Sequence, residues 1–136
     1  MLQPKKRKYR KDFRGRMKGV STQASEIAFG EYALKALGRG WLTSNQIEAG
    51  RRVITHSIKR GGKVWIRVFP DKPVTARAAG QRMGGGKGDI SHYVAVVKPG
   101  RILYEVAGMP EEVVRNAFEK VSAKMPFKTK MIEKEE

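Results

Sequence analysis

The sequence predicts an α+β domain, with two helices packed on a mostly antiparallel sheet. Three observations carry that expectation. Residues 63–69 alternate between two kinds of side chain, as a half-buried strand does. Two other stretches repeat apolar residues at helical spacing and carry helix-terminus signals. Two strand-like runs, residues 93–97 and 101–106, meet at Pro99-Gly100, a strong hairpin signal. The expected organisation is a basic arm over residues 1–24, one domain over residues 25–132, and a charged tail over residues 133–136. A glycine-rich basic finger interrupts the domain.

In chain order, the first segment holds Lys5, Lys6, Arg7, Lys8, Arg10, Lys11, Arg14, Arg16 and Lys18 against the single acid Asp12. It is too charged to fold alone and reads as an extended arm. A solubilising tail is the bland alternative. Tyr9 and Phe13 lie among the cations, which suits an arm that tracks phosphates and stacks on bases.

Folded structure should begin near Ser25. Residues 26–30 and 32–37 look like two short strands, and Gly38-Arg39-Gly40 looks like a break. Thr43 with Gln46 three residues later makes a capping box. The helix it opens should run to about Arg60, with Ile47, Val53, Ile54 and Ile58 toward the core. Arg51, Arg52, Lys59 and Arg60 form its basic edge, and Gly61-Gly62 stops it.

In the strand that follows, Val64, Ile66 and Val68 share one face. Lys63, Trp65, Arg67 and Phe69 share the other. Cations flanking a Trp on a sheet surface make a candidate stacking and phosphate platform. Trp65 packed under a loop is the competing reading. Residues 70–73 read as a turn.

The finger spans about residues 75–89, and its flanks should pair as a hairpin arm. At its centre lie Arg82, Met83, Gly84, Gly85, Gly86, Lys87 and Gly88. Glycine lets a backbone approach a partner closely, and two cations sit beside it. Nucleotide-loop patterns fail here on spacing. Gly86-Lys87 is followed by Gly88 rather than Ser or Thr, and Gln81 occupies the earlier glycine position of a phosphate-binding loop. The dinucleotide pattern starts at Gly84 and Gly86 but ends on Asp89. After the Pro99-Gly100 hairpin, Pro110 opens a second helix. Glu111 and Glu112 lie in its first turn, and Lys120 and Lys124 in its last, matching the helix dipole. Val114, Ala117, Phe118 and Val121 make its buried stripe. Residues 127–132 form a candidate last strand.

Composition narrows the function. The chain has 136 residues, enough for one domain, with 29 Lys and Arg against 13 Asp and Glu and a net charge of +16. A polyanion is the usual partner for such a charge. An anionic membrane is the competing partner, but neither terminus offers a cationic helix with a strong apolar face, so no membrane role is expected. With no Cys, thiol catalysis and cysteine-ligated zinc are excluded. No apolar run approaches a membrane span, and the first residues lead into charge, so a cytosolic protein is expected. His56 and His92 have no ligand-pair spacing. No metal or cofactor is expected, and His56 reads as a surface or packing residue. An RNA-acting enzyme is the second hypothesis, with Asp89 the sole acid near the finger.

Two segments, residues 60–70 (Arg-Gly-Gly-Lys-Val-Trp-Ile-Arg-Val-Phe-Pro) and Arg82 to Gly88, resemble the signature segments of the bacterial large-subunit ribosomal protein sixteen family. The opening residues 1–5, the Gln46-Ile47-Glu48-Ala49 helix and residues 126–130 resemble it too, so the likeness spans nearly the whole chain. Departures are Gly85 where Lys is frequent, Tyr93 where Trp is common, and the run Ala78-Ala79-Gly80-Gln81. The resemblance implies an α/β-hammerhead-type fold and a place in the large subunit, in a cytoplasmic ribosome with an organellar one left open. It implies binding to 23S rRNA near the base of the central protuberance and close to aminoacyl-site tRNA, with peptidyl-site tRNA a further candidate. Neighbouring large-subunit proteins would be partners, the role would lie in late assembly of the peptidyl transferase region, and the protein would not be an enzyme. In some members the arginine matching Arg82 is hydroxylated. The expected rRNA contacts are the arm cations with Tyr9, the helix edge, and Lys63, Trp65 and Arg67. The finger is expected to face tRNA and the peptidyl transferase centre.

Overall fold

The computed structural model describes residues 26–58, 61–76 and 89–134. In chain order they form β1 (Tyr32–Ala36), β2 (Gly40–Thr43), α1 (Ser44–Ser57), β3 (Lys63–Ile66) and β4 (Lys72–Ala76). These are followed by β5 (Asp89–Val97), β6 (Ile102–Ala107), α2 (Glu111–Ser122) and β7 (Thr129–Glu133). One sheet has the order β3-β6-β1-β7 and the other β2-β5-β4, with every pairing antiparallel. Two helices with antiparallel sheets make this the expected α+β class.

α1 starts where its capping box places it. The Gln46 amide donates to Thr43 Oγ1 at 3.2 Å, and Gln46 Oε1 accepts from the Thr43 amide at 2.9 Å. Ile47, Ile54 and Ile58 are buried and Val53 is partly so. On α2 the whole expected stripe of Val114, Ala117, Phe118 and Val121 is buried. Both helices join one core with Leu34, Leu42, Tyr104 and Val106. Within it the Tyr104 hydroxyl donates to the Ile47 carbonyl at 2.7 Å. Burial pushes that hydroxyl's pKa up, so it remains a donor.

The structure corrects four local expectations. Residues 26–30 are not a strand but a bent segment held by a side chain described below. Gly40 begins β2 rather than ending a break. β4 begins at Lys72 and contains Pro73, which reads as a turn residue in the sequence. Proline is tolerated there because β4 is the outer strand of its sheet and one side needs no amide donor. Fourth, β5 and β6 are not a hairpin. β5 lies between β2 and β4, and both edges of β6 are occupied by β1 and β3. Pro99-Gly100 is a corner between the two sheets. Gly100 takes a φ of 96° there, and its amide donates to the Ala36 carbonyl at 2.8 Å. The finger's flanks do pair as expected, with Ala76 opposite Asp89.

Candidate nucleic-acid interface

Of the expected contact residues, the arm from Lys5 to Lys18, Lys59, Arg60 and the finger from Arg82 to Gly88 lie outside the described residues. Arg51, Arg52, Lys63, Trp65 and Arg67 lie within them. α1 carries Arg51 and Arg52, and β3 with its continuation carries the other three.

The centre of this surface is Glu105 on β6, a carboxylate with no exposed surface. Its Oε1 accepts from the amides of Ala28, Phe29 and Gly30 at 3.1, 2.7 and 2.8 Å. Its Oε2 accepts from Arg67 Nη1. Burial by itself would push the carboxyl up, but the Gly30 and Phe29 amides, the Arg67 guanidinium and the Ala28 amide together hold it below its ordinary value. A buried charge survives when its lone pairs are filled in this way. Gly30 is needed for the approach, because a Cβ there would stand 2.6 Å from the Val106 carbonyl oxygen.

This clamp lays Phe29 over β3. Its ring stacks on Trp65 with centroids 6.0 Å apart and planes at 21°, and Arg67 Cζ lies 5.2 Å from the Phe29 centroid. Trp65 is half-buried beneath this cover, as the packing alternative expects, while Phe29 itself is 58% exposed. Arg67 is a ligand of Glu105 as well as a surface cation. Lys63 is exposed on the same face of β3 as Trp65.

An open groove of about 620 Å³ runs between α1 and the edge of β3, bounded by Arg51, Thr55, Phe29, Trp65 and Arg67 among others. Arg51 pairs with Glu48 through Nε and Nη2, at 3.2 and 3.0 Å to Oε2. That bond with Arg51 holds Glu48 below the ordinary carboxylate range. A second groove of about 300 Å³ lies beyond Arg67, beside Phe69 and Arg101. Arg101 Nη2 donates to the Arg67 carbonyl at 2.9 Å, and burial, with Arg67 nearby, lowers its pKa.

Reading the sequence missed Phe29, Glu105 and Arg101 as parts of this surface. Phe29 reads in the sequence only as part of a short strand over residues 26–30. The detectable signal was Glu105, the lone acid in the run Ile102-Leu103-Tyr104-Glu105-Val106. His56 is exposed, and among the described residues no cluster of His, Asp and Glu could hold a metal ion. No helix among them is long and apolar enough to cross a membrane.

Charge and surface together define a class: small basic α+β proteins that work against a polyanion. The chain matches the family described as ribosomal protein L16p/L10e over residues 4–132, and it belongs to that family. It is 57% identical over 132 residues to the large ribosomal subunit protein uL16c of Jasminum nudiflorum, covering 97% of this chain and 98% of the relative. The protein of the same name from Physcomitrium patens is 58% identical over 97% of this chain and 96% of its own length. That of Gossypium barbadense is 57% identical, with 97% and 98% covered. The chain is therefore a ribosomal protein, a structural constituent of the large subunit associated with rRNA and other ribosomal proteins, and not an enzyme.

Proposed function

We propose that the chain binds 23S rRNA near the base of the central protuberance and lies beside aminoacyl-site tRNA, supporting late assembly and tRNA positioning. The observation that carries the RNA part is the joining of cations to exposed aromatic surface. Arg51 lines the groove beside a clamped Phe29–Trp65 stack, Lys63 shares the Trp65 face of β3, and Arg52 is exposed on α1, in a chain of net charge +16. Phosphates fix register on such a surface and aromatic faces take bases. The arm cations from Lys5 to Lys18, with Lys59 and Arg60, add to the same electrostatic footprint.

The tRNA-facing role belongs to Arg82, Lys87 and the glycines between and beside them. The chain leaves β4 at Ala76 and re-enters β5 at Asp89, which are register partners. The ends of the segment are thus paired within the sheet, and aminoacyl-site tRNA is its proposed target, with peptidyl-site tRNA as the second candidate. Its work is placement, because small displacements beside a reacting centre cost rate heavily.

The test is the double variant Arg82→Ala with Lys87→Ala, assembled into large subunits. Sedimentation should show near-normal occupancy, while single-turnover peptide-bond formation slows. Arg82→Lys should restore only part of the rate, since Lys lacks the planar two-pronged donor of Arg. Normal rates at full occupancy would make the finger a passive tip, and lost occupancy would make it an anchor.

A further inference from the structure

The Phe29 ring is an unusual object on this surface. A large aromatic that is 58% exposed is ordinarily mobile, yet three consecutive backbone amides and a buried carboxylate fix the backbone that carries it. The ring stacks on Trp65 and lies against the Arg67 guanidinium, with more than half of the residue left exposed. A preorganised ring with a polarisable underlayer is what base stacking requires.

The groove beside it has the complementary features of a nucleotide site. β3 is the outer strand of its sheet. The Arg67 amide donates to the Leu103 carbonyl at 2.9 Å, so Arg67 turns its backbone toward β6. The alternation of an antiparallel ladder then turns the N–H and C=O groups of Val64 and Ile66 to the open edge, where both residues line the groove. These are one donor and one acceptor row, able to read a base edge. Across the groove Arg51 uses Nε and Nη2 on Glu48, which leaves Nη1 to donate to a phosphate.

We propose that Phe29 is a stacking step for one unpaired RNA base, with the open edge of β3 bordering that base and Arg51 taking its phosphate. Glu105 is a positioning residue in this site, since it holds Phe29 without touching the RNA. The inference rests on the chain's binding RNA as argued above. The charge favours RNA over a peptide strand at the same edge, because a chain of net charge +16 attracts phosphates strongly.

The experiment uses the full chain carrying Trp41→Phe, which leaves Trp65 as its one tryptophan. Two probes are titrated at low salt: a single-stranded oligoribonucleotide of mixed sequence, and an abasic ribose-phosphate oligomer of equal length. The base-bearing probe should quench Trp65 fluorescence and the abasic probe should not. Phe29→Ala should weaken the base-bearing probe about tenfold, as loss of one stacked base does, and leave the abasic probe unchanged. Phe29→Tyr should keep near-normal affinity, because the ring is retained, and circular dichroism checks that each variant is folded. Equal quenching by both probes, or an equal effect of Phe29→Ala on both, overturns the stacking site while RNA binding stands. That is also the outcome a peptide site would give. Failure of both probes to bind at low salt overturns the RNA-binding reading and the stacking site together.

Discussion

Glu105 and Arg67 are paired across two neighbouring strands, and removing either leaves the other charge in a poor environment. Glu105→Gln keeps the volume but loses the charge and part of the acceptor capacity for three amides and a guanidinium. The expected cost is on the order of 3 kcal/mol, as for other broken buried pairs. Because the folded carboxyl lies below its ordinary value, its stabilisation is complete above the ordinary carboxylate range. It is lost as pH falls through the folded-state value. Urea melts from about pH 7 to about pH 3, the span in which carboxylates titrate, should show a steep acid-side fall in the parent chain. The fall should be shallower in Glu105→Gln, and parallel curves would show that other acids govern it. Gly50 tests a different contact. A Cβ there would stand 2.9 Å from Tyr104 Cζ, and closer still to its hydroxyl. Gly50→Ala should therefore destabilise by about 1–3 kcal/mol despite its better helix propensity. Adding Tyr104→Phe removes the closest atom, so the double variant should lose less than the sum of the single changes. Strict additivity in chemical denaturation would mean that the two sites do not touch.

At the scale of elements, the start of α1 is set by a few polar atoms. Thr43→Ala removes the acceptor for the Gln46 amide and leaves Gln46 bonded to the position-43 amide alone. The expected loss is about 1 kcal/mol. A loss of that size lowers the melting temperature by roughly 4 °C in a domain of this size. Thr43→Ser should melt near the parent. A fall as large as that of Glu105→Gln would mean that the cap supports more than the helix end. The same helix presents Arg51 and Arg52 outward while Ile47 and Ile54 face in, so α1 serves core and surface through one 3.6-residue repeat.

For the whole molecule, the governing quantity is charge. Binding to naked rRNA should weaken steeply with salt, with about 6–10 phosphates neutralised and a log–log slope of roughly −0.7 to −0.9 for each. Equilibrium binding across a salt series measures this directly, and a flat plot would remove phosphate contacts as the main source of affinity. Stacking on Phe29 should lower affinity by a similar factor at every salt concentration when removed, because it releases few counterions. Losing Arg51 or Arg52 should instead reduce the slope by about one per phosphate contact.

Much of this protein is written locally in its sequence. A capping box opens α1, Pro110 with Glu111 and Glu112 opens α2, a 3.6-residue stripe runs along both, alternation marks β3, and the excess of Lys and Arg points to a polyanion. Two signature segments point to the family. Such signals survive because each rests on neighbours a few residues apart. Strand partnership does not. Pro99-Gly100 reads as a hairpin, but β1 and β3 occupy both edges of β6, and competition among distant strands set that outcome. The aromatic step was equally hidden. Phe29 is an apolar residue in an apolar run until Glu105, 76 positions away, takes its amide and its neighbours' amides. A carboxylate can be buried only where enough donors converge, and the tertiary fold alone brings those three amides and one guanidinium to the same few ångströms.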